Sequence, residues 1–561
     1  MARYQDGGEA LLQAFRSLGV DHIFCSSGSE WAPIWEAMAR QKVEGTNGPQ
    51  YHDFMHETLA VGMAIGCTLV TGKMQAVLLH AVPGLLQGAC GIHGALLTEI
   101  PMLVLSSEAN SYGDRDGVDP GSQWYRNLSI VGGPHSVVDN IVKWSCQIPG
   151  IETLYEFTKR AGELAQRVPK GPVYLNAPVE VLLEDWDIPA TLKNTVAPSI
   201  PVAPNSDVAA MIDMINAAEH PIIITESIGR TAGGHAAMTR FAEAYGIPVY
   251  ESQASVSCNF PHSHPLYLGG NPDATRGTAD LILLINCRSP WYPPSNIFPG
   301  VKVCVIDEVP QRPHIVHQVL QADQYVEGAV PAALNAAADR AEPSLYDQRR
   351  NAAHTAHAAL ENKWREAEAK AAAAPGIEAI HVAACLRQAL PKGSKIFDES
   401  ITHSRIVQAH LRPEEAGSYS YVQGGLGQGI GVALGGKIGA PDSFVMLTVG
   451  DGAFLYNPIV QSLTASKELN LPILIVVFNN GQYLSMKYNH MRFYPDGQSK
   501  ENEMFHGVEL ATQPELDGLA GPCGAKGIAV RDKTDLGTAI SEAIATVEGG
   551  QTCILNIHVT R

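Results

Sequence analysis

The chain has 561 residues, 45% apolar and only 17% charged, with 53 Gly and 36 Pro, which fits a turn-rich globular α/β protein of several domains and excludes fibrous and disordered classes. An excess of 57 Asp and Glu over 39 Lys and Arg leaves a net charge of −18, so nucleic acid is not an expected partner, and any anionic substrate has to be met locally by a metal or by backbone N–H groups. The longest apolar runs, such as Ile473 to Phe478, fall far short of the roughly 20 residues of a membrane span. The start, MARYQDGG, has no basic-then-apolar leader, and the ten Cys lie singly, as reduced thiols do. A cytoplasmic protein with no membrane partner is therefore expected.

In chain order, residues 1–190 alternate an amphipathic GEALLQAFRSLG, a DHIFC strand, an apolar TLAVGMAIGCTLV helix, and the strands MQAVLLH and IPMLVLSSE. After the Pro-rich TVAPSIPVAP, residues 195–340 carry HPIIITE, GIPVYES, ADLILLINC and VKVCVIDE, short β-branched strands spaced by helix-length segments. Residues 341–375 are rich in helix formers and end in Pro-Gly, which predicts a surface helix linking to a third unit. That unit, 376–561, runs through SKIFDES, SFVMLTV, LPILIVVF and CILNIHV, with helical segments between them. The fold class expected is three α/β domains with mostly parallel sheets.

The most informative stretch is TVGDGAFLYNPIVQSLTASKELNLPILIVVFNNGQY. An apolar strand ends in Gly450-Asp451-Gly452, a helix is predicted with Asn457 as N-cap and Pro458 at its first position, and a second strand ends in Asn479-Asn480. Both turns then fall at the carboxyl edge of neighbouring parallel strands, where open α/β sheets bind ligands. The glycines allow backbone N–H groups to approach phosphate, while Asp451, Asn480 and the carbonyl of Gln482 make a hard-oxygen set suited to Mg²⁺ carrying a diphosphate. An Asp-Gly turn alone is common. GDG and NN separated by 26 residues at two strand ends is far more specific.

With these residues the sequence resembles the thiamine diphosphate (ThDP) enzymes of the decarboxylase and acetolactate synthase type, in which GDG through NN binds metal and diphosphate. Within that family it is most similar to benzoylformate decarboxylase, through FCSSGSEW, LLHAVPGLLQGACG, IVKWS, SCNFPHSHPLYLGG, GSYSYVQGGLG and VFNNGQY, over nearly the whole chain. The resemblance implies that Glu57 hydrogen-bonds the cofactor aminopyrimidine, that Ser29 and His80 are the active-site Ser and a proton-transferring His, and that Leu426 props the cofactor. It also implies pocket positions at Tyr421 and Met486, and a homodimer or homotetramer with active sites at subunit interfaces. The activity implied is nonoxidative decarboxylation of a small 2-oxo acid to an aldehyde and CO₂, with carboligase activity beside it.

The bland readings stand beside these. A Glu in the first turn of a helix complements the dipole whatever else it does, and a His at a strand end can be satisfied by a carbonyl. The glycines 424, 425, 427, 429 and 431 lack the context of a nicotinamide site, and His262, His264, His403 and His410 lack partners at zinc-ligand spacing. A second catalytic His expected near RSPWYPPSN has no counterpart there, where Trp291 and Tyr292 stand. Rival readings are an acetolactate synthase-like carboligase, a 2-hydroxyacyl-CoA lyase, and a noncatalytic protein retaining the fold.

Overall fold

The computed structural model describes residues 5–109, 119, 121–122, 128–293, 295–316, 318, 322–510 and 512–560. By internal contacts the chain forms two compact units, one of Met1–Ser199 with Gln423–Pro441 and Val460–Ala465, the other of Ile200–Val422, Asp442–Ile459 and Ser466–Arg561.

The first unit is built on a six-stranded sheet of β1 (His22–Ser26), β2 (Gln50–Phe54), β3 (Gln75–Leu79), β4 (Met102–Ser106), β5 (Trp144–Gln147) and β6 (Pro172–Asn176), in the order β2-β1-β3-β4-β6-β5. Every pairing in it is parallel. The interior strands β3, β4 and β6 are buried along their whole length, the near-continuous burial expected of strands covered on both faces. The sequence reverses direction at β1, so the crevice between the carboxyl ends of β1 and β3 is a topological switch point.

The helix Glu57–Thr71 is buried from Leu59 to Thr68, and its composition is apolar all round rather than striped. His56 caps its start, its Nδ1 accepting from the N–H of Thr58 at 3.2 Å. It packs against the helix Gly429–Gly439 of the same unit. Glycines make that approach possible: a Cβ on Gly66 would collide with the carbonyl oxygen of Val432, and one on Gly435 with that of Met63.

The second unit holds two sheets. One joins β7 (Pro221–Thr225), β8 (Val249–Glu251), β9 (Leu281–Ile285), β10 (Lys302–Asp307) and β11 (Gln324–Glu327) in the order β11-β10-β9-β7-β8. The other joins β12 (Lys395–Glu399), β13 (Tyr419–Tyr421), β14 (Val445–Gly450), β15 (Leu474–Asn479), β16 (Lys526–Val530) and β17 (Cys553–His558) in the order β13-β12-β14-β15-β17-β16. Both are parallel throughout. All six residues of β15 are buried, and each such aliphatic side chain contributes about 1.5–3 kcal/mol on leaving water. Between the sheets in sequence runs the helix Asp347–Ala373, fully buried only at Ala353, His357, Trp364 and Ala371, a stripe spaced by 4, 7 and 7 residues.

The segment that follows β14 holds two short helices. The helix after β14 starts at once, at Asp451–Tyr456, and a second follows at Ile459–Glu468. Asn457 sits at the C-cap of the first, its Nδ2 donating to the carbonyl of Ala453 (2.9 Å) and to Glu399 Oε2 (3.0 Å). The buried carboxylate of Glu399, at the end of β12, recruits it.

The glycine contact gives a stability prediction. Gly66→Ala and Gly435→Ala should each destabilise the first unit by roughly 1–3 kcal/mol, the usual cost of overpacking. Gly537→Ala, at a helical position with open space around it, should leave stability equal or raise it. Urea unfolding followed by circular dichroism measures both, and equal midpoints for all four proteins would show that the helices do not depend on the glycines.

Candidate active site

At the switch point of the first sheet, the loop after β1 is laced to the end of β3. Glu30, whose side chain is fully buried, accepts from the N–H of Ala81 at 3.1 Å, and its Oε1 lies 2.7 Å from His80 Nδ1. The indole of Trp31 donates to the carbonyl of Leu79 at 3.2 Å. Gly28 closes over the pair so tightly that a Cβ there would collide with His80 Nδ1 and with the Glu30 carboxylate. His80 opens the helix Ala81–Leu97 as its N-cap residue, and Ala81 adopts a positive φ of 39° to make the turn.

The bond from Glu30, then burial opposing it, then the fields of Glu30 and Glu57 set the imidazole, whose pKa is raised above the ordinary 6.5. With Nδ1 engaged by Glu30, Nε2 is the nitrogen left to exchange a proton with a ligand. Glu57 is half-buried at the first position of its helix. Gly84 lies between the two groups: a Cβ on it would stand 3.1 Å from Glu57 Oε1 and 3.3 Å from His80 Cβ. Ser29 is exposed, at the first position of the short turn Ser29–Trp31. The first unit thus gathers Ser29, Glu57 and His80, and adds Glu30. Leu426 is half-buried in the same unit, in the Gly-rich segment where Cys90 Sγ lies 3.0 Å from the carbonyl oxygen of Gly424.

The second unit gathers the other set at the carboxyl ends of β14 and β15. Asp451 is 2% exposed and accepts from the N–H of Gly452 at 2.9 Å and of Gly481 at 2.7 Å. Burial raises its pKa, against the pull of those backbone donors, and among the described residues no cationic side chain pairs with it. Asn480 is buried, with Oδ1 accepting from the N–H of Gln482 at 2.8 Å. Gln482 donates its side-chain amide to Glu509 at 2.6 Å, while its own Oε1 is buried without a partner. Gly452 lies under the ring of Tyr483, where a Cβ would collide with the aromatic carbons.

These residues fit a divalent cation. A buried carboxylate bonded only by backbone N–H groups retains an uncompensated charge, and a hard ion beside amide and carbonyl oxygens would neutralise it. Among the described residues no group of three or more His, Cys, Asp or Glu gathers as a transition-metal site would require. A single carboxylate with phosphate oxygens suits Mg²⁺ instead.

Near this edge, Asp398 is fully buried and accepts from Ser400, from the hydroxyl of Tyr419 at 2.8 Å and from Thr448 at 2.8 Å, tying β13, β12 and β14 together. Tyr421 ends β13 half-buried, its pKa pushed up to about 12, chiefly by burial. Met486, in the helix Leu484–Phe493, is 49% exposed. Trp291 packs on Phe298 at 5.5 Å and Tyr292 is exposed, so neither offers an imidazole's chemistry. His403 stacks on Phe478, and His262 and His410 bond Glu251 and Glu368, which accounts for all three as packed side chains.

Comparison with known proteins agrees with this architecture. Three domain models match: the N-terminal TPP binding domain of the thiamine pyrophosphate enzymes over residues 5–126, their central domain over 208–336, and their C-terminal TPP binding domain over 401–557. The chain belongs to the thiamine pyrophosphate (ThDP) enzyme family. It is 24% identical to the acetolactate synthase isozyme 3 large subunit of Escherichia coli, covering 99% of this chain and 94% of that one. It is 22% identical to benzoylformate decarboxylase of Pseudomonas aeruginosa, covering 85% and 87%. Among solved structures it is similar to the thiamine diphosphate-dependent 4-hydroxybenzoylformate decarboxylase of Rhodococcus jostii RHA1, at 20% identity, 99% coverage of both chains and a TM-score of 0.80.

The pair formed by Glu30 and His80 yields a prediction about charge. The pair favours imidazolium, so its stabilisation is complete below the ordinary His pKa and is lost as pH rises through the raised value. Glu30→Gln should therefore bring the His80 pKa down, read by NMR titration of its ring C–H signals. An unchanged titration midpoint would show that Glu30 does not control the imidazole.

Proposed function

We propose that the protein is a ThDP- and Mg²⁺-dependent nonoxidative decarboxylase of a small 2-oxo acid, giving an aldehyde and CO₂. The single observation that carries the reading is the imidazole of His80, held through Nδ1 by a fully buried carboxylate beside Glu57. When bound, ThDP supplies the electron sink that decarboxylation next to a carbonyl requires. Glu57 and Leu426 would hold the pyrimidine part of the cofactor. Gly450, Asp451, Gly452, Asn480 and the carbonyl of Gln482 would hold its diphosphate, with Asp451, Asn480 and Gln482 on the metal. In this reading residues 1–190, 195–340 and 376–561 are the pyrimidine-binding, central and diphosphate-binding domains.

The chain's own groups divide the remaining work. Ser29, exposed at the loop tip, would donate to the substrate carboxylate. His80 would move a proton at Nε2, a contribution worth about 10²–10⁴-fold in general acid–base catalysis. Tyr421 and Met486 would face the acyl group. Assembly into a homodimer or homotetramer is part of the proposal, and the exposure of Met55 (67%) and Leu86 (55%), both close in sequence to the Glu57 and His80 cluster, supports it. A cytoplasmic location accords with ten free cysteines.

A second reading, carboligation of two 2-oxo acids, draws on the acetolactate synthase relative, which matches more of this chain than the decarboxylase relative does. Supplying pairs of 2-oxo acids and analysing products separates the two. Decarboxylation yields one aldehyde per CO₂, whereas a joined hydroxy-oxo acid with no free aldehyde would replace the first reading by the second.

Two further outcomes are expected. Asp451→Ala should keep its circular dichroism spectrum and lose ThDP binding in the presence of Mg²⁺, so full binding by that variant would remove Asp451 from the metal site. His80→Ala should lower kcat by roughly 10²–10⁴ while binding ThDP normally. A loss below about threefold, well under that span, would return His80 to a packing role.

A further inference from the structure

At the amino end of the central sheet, opposite the edge where α/β sheets bind their ligands, lies a cavity of about 290 Å³. Pro221 opens β7, Pro248 precedes β8 and Ala279 precedes β9; these and Leu268 form its apolar wall, and Ala352 of the helix Asp347–Ala373 borders it. Its volume is at the lower end for small-molecule pockets, which run from about 300 Å³ upward.

Two donors line this cavity without using their full capacity. Tyr250 is 5% exposed, and among the described residues its hydroxyl has no hydrogen-bond partner. Its pKa is pushed up to about 12 by burial alone, with no bonded partner to offset it. Arg349 gives Nη2 to the carbonyls of Ile215 (3.0 Å) and Ala218, and stacks its guanidinium 5.0 Å from the ring of Tyr346, yet Nη1 is buried and unpartnered.

The other polar groups are already engaged. Thr275 and Thr278 donate to the carbonyls of Pro272 (2.7 Å) and Thr275 (3.0 Å). Asp280, the carboxylate whose field reaches Arg349, accepts from the N–H groups of Glu219 (2.5 Å) and His220 (2.9 Å). Glu219 and His220 also line the cavity, with side chains 86% and 60% exposed to solvent.

A buried guanidinium N–H left unpaired forfeits a hydrogen bond, the Tyr250 hydroxyl on the cavity wall is a second free donor, and an ionised acceptor satisfies both best. We propose that this cavity binds a small monocarboxylate with a compact apolar body, the carboxylate bonded by Arg349 and Tyr250 and the body against the Pro, Leu and Ala wall. The site is separate from the Asp451 cluster and rests on no assumption about the reaction.

Titration calorimetry of the full chain with cyclohexanecarboxylate tests it, with cyclohexylmethanol as the uncharged control. Saturable binding is expected for the acid and not for the alcohol. Arg349→Met should weaken it roughly tenfold or more, the scale of a lost charged hydrogen bond, and Tyr250→Phe by a few-fold. Because Arg349 also ties down two carbonyls, a second variant separates loss of binding from loss of fold. Ala352→Phe, at an exposed helical position, then decides by obstructing the cavity, and binding should fall at least as far. No binding to the wild type, equal binding of the alcohol, or unchanged affinity in both Tyr250→Phe and Ala352→Phe would overturn the proposal.

Discussion

A carboxylate taken out of water has to be compensated by donors or by a cation, and the carboxyl edges of the first and third sheets are arranged around that requirement. Glu30 meets it with an imidazole and a backbone N–H, and in doing so fixes which nitrogen of His80 faces outward. Asp451 meets it only in part, with backbone N–H groups and no cationic side chain among the described residues. One carboxylate therefore orients an imidazole, and the other keeps a charge that no cationic side chain among the described residues offsets. Asp398 is the contrasting case, fully satisfied by hydroxyls and the N–H of Ser400, and its effect is to hold three strands in register.

Parallel sheets make this economical. Each strand end delivers its loop to the same edge, so residues distant in sequence converge without any long-range loop ordering of their own. Glu30 and His80 are 50 residues apart and meet because β1 pairs directly with β3. Asp451 and Gly481 meet because β14 pairs with β15, which places Gly450 beside Phe478. Close-packed glycines serve the same end on the helical side, letting the helix that begins at Glu57 press against its neighbour.

Much of this was legible in the sequence, and the omissions have physical reasons. The buried strands β3, β4, β7, β9, β10, β14, β15 and β17 are largely apolar or β-branched runs that stand out from their surroundings. Passed over were β2 (QYHDF), β5 (WSCQ), β11 (QYVE), β13 (YSY) and β16 (KGIAV), each on the outside of its sheet, where one side is unpaired and the apolar signal fades. The interior strand β6 (PVYLN) was missed too, because its Pro and Asn read as turn residues.

Among the proposed site residues, Gly450, Asp451, Gly452, Asn480 and Gln482 are suggested by spacing, while Glu57, His80, Ser29, Leu426, Tyr421 and Met486 rest on the family resemblance. Glu30 escaped both, since a Glu one residue past Ser29 in a loop reads as a surface charge. Only its burial against His80 and Ala81 distinguishes it.

Glu57 is proposed to act on a bound ThDP. The direct measurement is hydrogen–deuterium exchange at C2 of the cofactor on the loaded protein, by quenched-flow NMR, in the wild type and in Glu57→Gln. Exchange in the variant should be slower by roughly 10²–10⁴, the span of a lost general acid–base partner, with the cofactor still bound. Exchange at the wild-type rate in a fully loaded Glu57→Gln protein would contradict the assignment of Glu57.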